Sequence, residues 1–160
     1  PFLTVSTDAL ELPSSVRDSF EVILLLDVIE HIPDPVVFIR TIMQRYPKAR
    51  HLIITVPARQ ELWSNYDTYY RHLRRYDIAV LSHTLMQCGA KKITARYFCH
   101  LLYYPTRLLL VLLKRRSIEI FSPSRRMRGV HRLLAKILFW DYRFLPKKSV
   151  GTSIICYASL

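Results

Sequence analysis

Residues 21–31, Glu21-Val22-Ile23-Leu24-Leu25-Leu26-Asp27-Val28-Ile29-Glu30-His31, are the stretch that decides the fold. The apolar residues up to Leu26 are continuous, which is typical of a parallel β-strand that is buried on both faces. Asp27 follows this strand directly. Open α/β sheets bind ligands outside the carboxyl ends of their strands, so Asp27 is a candidate ligand-binding residue, as is Asp8 after the short β-type run at 2–5. The alternative is that its carboxylate only caps the turn that follows.

Helix and strand patterns alternate after this stretch. Asp34 and Pro35 have the residue types of an N-cap and a first helical turn, and apolar spacing predicts a helix from there to about residue 46. A strand is predicted at 51–56, where Pro57 stops it. Residues 58–76 have no clean period and are predicted to be an ordered loop with a short helical piece.

The remaining elements continue the same alternation. Asp77 is predicted to cap a helix that Gly89 ends. Further strands are predicted at 93–97 and 152–158, and a short β-type run at 2–5 comes before them all. Strands that alternate with helices predict a parallel α/β sheet, so the fold class is α/β, a partial doubly wound, Rossmann-like sheet.

Glycine and cysteine usage exclude several kinds of site. The only glycines are isolated ones at 89, 129 and 151. A loop that cradles a nucleotide phosphate needs several glycines close together, and this chain has none. The three cysteines, Cys88, Cys99 and Cys156, are far apart and odd in number, which predicts reduced thiols and no metal site.

Charge is distributed unevenly along the chain. The net charge is +12, but residues 1–70 sum to −3 and residues 71–160 sum to +15. Such an asymmetry predicts an anionic partner for the second half, namely a membrane surface, a nucleic acid or a phosphorylated substrate.

Several segments in order along the chain resemble class I S-adenosylmethionine-dependent methyltransferases, in the branch related to quinone- and lipid-pathway enzymes. The segments are Asp8-Ala9-Leu10-Glu11-Leu12-Pro13, Ser19-Phe20-Glu21-Val22, Asp27-Val28-Ile29-Glu30-His31-Ile32, Leu52-Ile53-Ile54-Thr55-Val56-Pro57, Leu62-Trp63-Ser64, Tyr66-Asp67, His72-Leu73-Arg74-Arg75-Tyr76 and Gly151-Thr152-Ser153. The resemblance covers about residues 3–98 and 150–159. It implies a methyltransferase core at 1–99 and 149–160, with a basic amphipathic helical insertion at 100–148.

The resemblance also implies roles for individual residues. S-adenosylmethionine would be the cofactor, with the adenine held by Asp8 and Ala9, and with Leu10 as a further cofactor-binding residue. Leu26 and Asp27 would flank its methionine part. His31 would lie near the transferred methyl group, and a histidine with a near-neutral pKa suits proton removal from an acceptor. The alternative is that His31 only positions the start of the following helix.

The chain also departs from that family. The first strand of the family's sheet, the glycine-rich loop and the acidic residue that holds the cofactor ribose are all missing. The glycine that precedes His72 in the family is Arg71 here. The chain is therefore expected to be the C-terminal part of a larger enzyme and inactive by itself.

Aromatic and basic side chains are concentrated in the loop at 63–76. They form a candidate substrate wall, with arginines for an anionic group and aromatics for an acyl or ring group. The alternative is aromatics that fill the core and arginines that face water. The candidate substrate-binding residues are Trp63, Tyr66, His72, Arg74, Arg75 and Tyr76.

The segment at 100–148 combines apolar and basic stretches. The apolar run at 101–113 would span about 20 Å as a helix, which is too short to cross a bilayer. Residues 114–132 hold seven basic residues and one acidic residue, a composition typical of an element on an anionic membrane. Nucleic acid is the rival partner, but stacking aromatics are lacking in this stretch. A helical hairpin packed on the sheet is the remaining alternative.

The sequence therefore predicts methyl transfer to a small or lipid-like acceptor, by a cytoplasmic protein that is peripheral on the membrane. One alternative is a methyltransferase-like module without catalysis that binds a membrane or a protein partner. A fragment of a nicotinamide-dependent dehydrogenase is a weaker one, because no tyrosine–lysine or histidine pair has a matching spacing.

Overall fold

A computed structural model describes residues 19–113, 128–146 and 149–160 of the chain. These residues form a four-stranded sheet with the strands β1 (Val22–Leu26), β2 (His51–Pro57), β3 (Lys92–Phe98) and β4 (Ser153–Ser159). The strand order is β1-β2-β4-β3. The α/β fold class predicted from the sequence is confirmed, and helices stand before the last strand as expected.

Five described α-helices connect these strands. They are α1 (Pro35–Arg45), α2 (Asn65–Tyr69), α3 (Ile78–Gln87), α4 (Tyr103–Leu113) and α5 (Arg128–Phe144). Short 310 turns occur at Ile29–His31, Gln60–Leu62 and His100–Leu102. None of the helices in these ranges is long and apolar enough to span a membrane.

The last strand runs against its neighbours, whereas the strand–helix alternation predicted a parallel sheet. β1 pairs with β2 in parallel, but β4 lies between β2 and β3 and is antiparallel to both. Ser153 at the start of β4 pairs with Phe98 and Pro57, the last residues of β3 and β2. The chain thus returns to the sheet at the edge where β3 left it. Periodicity does not reveal on which edge a connection ends, so the sequence could not predict this direction.

One face of the sheet is covered by α1 and α3, which contact each other. Ile39 of α1 and Leu81 and Leu85 of α3 are fully buried against alternate residues of the strands. On β1, Leu25 is buried, while Val22, Leu24 and Leu26 are each about half exposed. Burial of β1 on both faces was the expectation, but within the described residues only one face is covered.

The helix ends differ in how they are capped. The carboxylate of Asp34 accepts hydrogen bonds from the backbone N–H groups of Val36 and Val37, both at 3.0 Å, as the sequence predicts. Asp77 begins α3 but makes no such bond, since its carboxylate lies beside the Tyr97 hydroxyl and Arg59. Gly89 ends α3 with φ +91°, a left-handed conformation that glycine adopts without steric cost.

Several predictions fall outside the described residues. These are the short run at 2–5, the cofactor-binding candidates Asp8, Ala9 and Leu10, and most of the basic stretch at 114–132. The division into a core and an insertion at 100–148 stays a prediction.

Candidate functional site

A cavity of about 430 Å³ opens at the carboxyl edge of the parallel strands. The ends of β1 and β2, the turn at Ile29–His31, the loop around α2 and the start of α4 form its walls. The residues that line it are Asp27, Glu30, His31, Pro57, Leu62, Tyr66, Tyr70, His72, Arg75, Cys99, Leu102, Thr106, Thr152 and Ser153.

Asp27 stands at the rim of this cavity in a strained backbone conformation. Its φ is +52°, in the left-handed region that few non-glycine residues adopt, aspartate being among those that tolerate it. The Asp27 N–H donates to the carbonyl (3.0 Å) and the hydroxyl (3.1 Å) oxygens of Thr55 on β2, which holds this turn. The Asp27 side chain is exposed, and it does not cap the turn at 29–31.

Glu30 is a fully buried carboxyl group in the cavity wall. Neither of its oxygens accepts a hydrogen bond within the described residues. Burial raises the pKa of Glu30 to about 7, and the nearby charge of Asp27 acts in the same direction. The group is therefore poised to exchange a proton near neutral pH.

Two histidines lie beside Glu30. Nε2 of His31 is 3.9 Å from Oε1 of Glu30. The rings of His31 and His72 meet edge to face, with centroids 4.8 Å apart. His31 comes from the turn after β1 and His72 from the loop after α2, so the fold brings two distant segments together.

Asp67 fixes the position of His72. One oxygen of the buried Asp67 carboxylate lies 3.0 Å from Nδ1 of His72 and 2.7 Å from Nε of Arg75. The other oxygen accepts hydrogen bonds from Nη2 of Arg75 and from the Ser64 N–H. Burial alone would raise the pKa of Asp67, but the hydrogen bonds and charge of Arg75, together with the bond to His72, hold it below its ordinary value. Asp67 is therefore a fixed anion. It contacts His72 at Nδ1 and not at Nε2, the other ring nitrogen.

The candidate substrate-binding residues do not all lie together. Tyr66, His72 and Arg75 line the cavity, but Arg75 is largely buried and bonded to Asp67 and to the Ala58 carbonyl. Trp63 lines a separate cavity with Arg107. Their role as substrate-binding residues stays a prediction.

Three other candidates lie outside the cavity wall. Arg74 donates to the Pro33 carbonyl oxygen at 2.8 Å. Tyr76 is buried in the core, and its hydroxyl donates to the Ile29 carbonyl oxygen. Leu26 is exposed on β1 and is not among the lining residues.

Sequence reasoning did not select Glu30 or Asp67 for the site. Glu30 stands in the motif that was singled out, and the signal was a glutamate beside a histidine directly after a buried strand. Asp67 had a local signal too, because Ser64 and Asp67 have the spacing of a capping box, which the structure contains. Its bonds to His72 and Arg75 depend on how the loop at 58–76 folds, and the sequence of this loop has no periodicity from which that could be predicted.

Glu30, His31 and His72 also offer ligand atoms that lie within 4.8 Å of one another. One carboxylate and two imidazoles are a set that could hold a divalent cation, with Asp67 orienting His72 from behind. The prediction that the chain has no metal site stays a prediction.

Cys99 lines the cavity as well, but it is a poor nucleophile. Burial, with the charge of Asp141 nearby, raises the pKa of Cys99 to about 11, so the group is a neutral thiol at physiological pH. Cys88 and Cys156 are free in the structure too.

Comparison with solved structures finds S-adenosylmethionine-dependent methyltransferases. A methyltransferase from Archaeoglobus fulgidus is 19% identical with a TM-score of 0.49, and the alignment covers 98% of this chain and 66% of that protein. Phosphoethanolamine N-methyltransferase 2 from Haemonchus contortus, in complex with S-adenosyl-L-methionine, is 14% identical with a TM-score of 0.48. That alignment covers 89% of this chain and 33% of the enzyme. The chain thus spans about two thirds of the archaeal protein's length and one third of the nematode enzyme's.

No protein-family model and no curated protein matches the sequence.

Proposed function

We propose that this chain contributes the acceptor side and part of the cofactor side of an S-adenosylmethionine-dependent methyltransferase that acts on a small or lipid-like acceptor. The observation that supports this proposal most is convergence at one cavity. Asp27 and His31, from the segment after β1, and Tyr66 and His72, from the loop after β2, line the same cavity although they are distant in sequence. The resemblance of the sequence implied that Asp27 flanks the methionine part of the cofactor and that His31 lies near its methyl group. The aromatic and basic composition of the loop at 63–76 made Tyr66 and His72 candidates for the acceptor side.

The cofactor when bound supplies an electrophilic methyl group on a positively charged sulfur. The exposed carboxylate of Asp27 suits the cofactor side, because it can accept hydrogen bonds from an amine or a hydroxyl and is attracted to positive charge. The described residues offer one wall for such a ligand, since no clustered glycines stand in the sequence to let the backbone approach it. The assignment of Asp8 and Ala9 to the adenine, and of Leu10 to the cofactor, rests on the resemblance alone.

His31 and His72 are the groups that can remove a proton from the acceptor. A hydroxyl or protonated amine must lose its proton before or while it accepts a methyl group, and a neutral imidazole takes that proton near pH 7. Asp67 holds His72 by its Nδ1, which orients the ring toward His31. Arg75 acts on this pair through Asp67, which makes it a positioning residue in this proposal.

The remaining cavity wall suits an acceptor with an apolar part. Leu62, Tyr66, Tyr70 and Leu102 contribute mainly hydrocarbon surface, and Thr106 contributes one hydroxyl. Cavities of this kind bind ligands through apolar area and fix their orientation with a few polar groups. An acyl chain or an aromatic ring would fit such a wall.

The proposal is tested by measuring cofactor binding and methyl transfer separately in the protein that carries this chain. Calorimetric titration with S-adenosylmethionine measures binding, and transfer of a labelled methyl group to extracted lipids or small phenols measures the reaction. We expect Asp27→Ala to weaken cofactor binding by about 10- to 100-fold, because it removes a charged hydrogen-bond acceptor. We expect His31→Gln to leave binding within about twofold and to lower transfer by about 10²- to 10⁴-fold.

His83→Gln is the matched control. His83 is exposed on α3 and makes the same change of residue type outside the cavity wall, so both readouts should stay at the wild-type level. The proposal fails if the protein does not bind S-adenosylmethionine, or if His31→Gln and His83→Gln transfer methyl groups at the same rate.

A further inference from the structure

We propose that α4 and α5 form a surface that binds an anionic lipid membrane. This inference concerns the outer faces of these two helices and not the cavity. Its test does not require methyl transfer. The membrane inference can therefore fail while the proposed function holds, and the proposed function can fail while the membrane inference holds.

Among the described residues, most of the exposed large hydrophobic side chains lie on these two helices and on the turn before α4. On α4, Leu112 is 69% exposed, and on α5, Trp140 is 61% and Phe144 63% exposed. The other large hydrophobic residues exposed there are Leu101, Leu102, Tyr104, Leu108, Leu109, Val111, Leu113, Val130, Leu133, Leu134, Ile137, Phe139 and Tyr142. An apolar surface of this extent marks an interaction site, because water around it is unfavourable.

α5 has one apolar face with basic residues beside it. Leu133, Ile137, Trp140 and Phe144 follow one another at spacings of four and three residues, which places them on one side of the helix. These residues line an open apolar groove with Leu101. Three exposed basic residues, Arg132, Lys136 and Arg143, each directly precede a residue of that face in the sequence.

The charge exposed on α5 is only positive. Asp141 is the single acidic residue in this helix, and it is buried. Its carboxylate accepts hydrogen bonds from the N–H groups of His100 (3.0 Å) and Leu101 (2.8 Å) and contacts Nδ1 of His100. The surface that α5 presents is therefore apolar and cationic, which is complementary to an anionic lipid layer.

Hydrogen bonds to the rest of the protein fix the direction of α5. Asp141 ties it to the turn at His100–Leu102, and Arg96 of β3 donates to the carbonyl oxygen of Tyr142 at 2.5 Å. The Arg96 guanidinium also stacks over the Tyr142 ring at 4.1 Å from the centroid. These contacts hold the C-terminal half of the helix, in which Trp140 and Phe144 are exposed.

A lipid surface fits this arrangement better than a nucleic acid or a transmembrane position. Aromatic side chains such as Trp140 are favoured at the boundary between lipid and water, and basic side chains beside an apolar face are typical of interfacial helices. The described parts of α4 and α5 have 11 and 17 residues, and no described helix is long and apolar enough to span a bilayer. The aliphatic residues that dominate both helices do not stack on bases.

α4 connects this surface to the cavity. The cavity is lined by Leu102, just before α4, and by Thr106, near its start. Leu108 and Leu112, further along the same helix, are exposed. A membrane bound at α4 would thus lie next to the cavity, which is the position a lipid-like acceptor requires. This link, unlike the surface itself, rests on the proposed function.

Vesicle flotation of the full chain tests the proposal. Vesicles of phosphatidylcholine alone are compared with vesicles of phosphatidylcholine and phosphatidylglycerol, at low salt and at about 1 M salt, where the screening length is about 3 Å. We expect the chain to float with the anionic vesicles and at least tenfold less with the neutral ones. High salt should release most of it. Equal binding to both vesicles, or binding to neither, overturns the proposal without any variant.

Paired variants locate the surface. Arg132→Gln with Lys136→Gln should weaken partition into anionic vesicles by about 10- to 30-fold, because each basic residue near such a surface contributes at most about fivefold. Lys91→Gln with Lys92→Gln, which removes the same charge from exposed positions at β3, should change it by less than about threefold. If both pairs weaken binding equally, the attraction is a property of net charge and the α5 surface is refuted.

A second comparison of variants tests the contribution of the apolar side chains to vesicle binding. Trp140→Ser with Phe144→Ser should abolish flotation, while Met86→Ser at an equally exposed position on α3 should retain it. Circular dichroism must show the wild-type spectrum for each variant that is scored. A stable dimer that Trp140→Ser with Phe144→Ser dissociates, in a chain that does not bind vesicles, would assign this surface to a second copy and overturn the proposal.

Discussion

Glu30 is the residue whose chemistry conflicts most with its surroundings. Its carboxyl group is fully buried with no hydrogen bond from the described residues, and an ionised carboxylate in that position is poorly solvated. Protonation relieves the conflict, which is the physical reason that its pKa rises to about 7. A buried acid of this kind costs stability at alkaline pH.

The sign of this effect can be measured. Below about pH 4.5 the carboxyl is protonated in both the folded and the unfolded chain, so this group does not lower the free energy of unfolding. As pH rises toward 7 the unfolded chain releases the proton while the folded chain keeps it, so the free energy of unfolding falls, by about 3 kcal/mol in total. Glu30→Gln removes this titration. We expect the variant to gain up to about 3 kcal/mol relative to the wild type between pH 5 and pH 8.

Urea denaturation at the two pH values, with a chelator so that no divalent cation competes with the proton, checks this expectation. A difference between variant and wild type that is the same at pH 5 and at pH 8 would show that Glu30 does not titrate in this range.

Arg71 is one of the positions at which the chain departs from the family that it resembles, and its backbone conformation shows how the loop accommodates the change. This residue stands where the family has a glycine, directly before His72. In the structure Arg71 has φ +58°, the left-handed conformation that favours glycine. The loop therefore keeps the backbone path that a glycine would provide, and His72 reaches Asp67 and His31 in spite of the substitution.

At the scale of elements, the start of β4 depends on a close approach of two backbones. Gly151 is buried, and a Cβ atom placed there would overlap the Phe98 carbonyl oxygen and stand 3.1 Å from Cβ of Tyr97. Thr152 and Ser153, which follow it, line the cavity. The glycine thus lets β4 begin beside the end of β3, at the edge of the site.

Gly151→Ala should lower the free energy of unfolding by about 1–3 kcal/mol, since the extra methyl group must push apart two hydrogen-bonded strands. Gly129→Ala is the matched control, because Gly129 lies in α5 with no atom within 4 Å of the added Cβ. That change should raise the free energy of unfolding by about 0.5–1 kcal/mol through helix propensity. Thermal unfolding of both variants compares them, and a loss of stability at 129 equal to that at 151 would refute the steric explanation.

At the scale of the molecule, the described sheet has two unlike faces. α1 and α3 cover the face that contains Leu25, Leu52 and Ile54. On the other face Leu24 is 57% exposed, although its neighbour Leu25 is 6% exposed. The apolar composition of β1 is thus only half used for burial by the described residues.

Substitutions at these neighbouring positions should separate the two faces. Leu25→Thr should lose about 2–4 kcal/mol of stability, because it leaves a cavity and buries a hydroxyl group. Leu24→Thr should change stability by no more than about 0.5 kcal/mol. Chemical denaturation of the two variants makes the comparison, and losses of similar size would mean that both faces of β1 are packed in solution.

The charge asymmetry of the sequence also has a molecular consequence. The second half of the chain carries the excess of basic residues, and part of that excess is exposed on α5 beside an apolar face. The sequence predicted an anionic partner from the charges alone. The buried position of Asp141 then adds to the argument, because it leaves no acidic group exposed on that helix.

Local signals determined much of the secondary structure. The continuous apolar run before Asp27, the Asp34–Pro35 helix start and the glycine after α3 each act over a few residues, so the sequence alone predicted β1, α1 and the end of α3. The sequence also singled out Asp27 as a candidate site residue, since a residue at the end of a buried strand lies at the carboxyl edge of a sheet. The resemblance to the methyltransferase family added His31.

Only the tertiary structure decided what meets at that edge. The direction of β4, the burial of Glu30 and the contact of His72 with Asp67 and His31 depend on where loops without periodicity return to the sheet. The same holds for Arg75, which looks like a free cation in the sequence but is bonded to Asp67 in the fold. Propensity and spacing act between near neighbours, whereas burial and hydrogen bonding between distant segments exist only once the chain is folded.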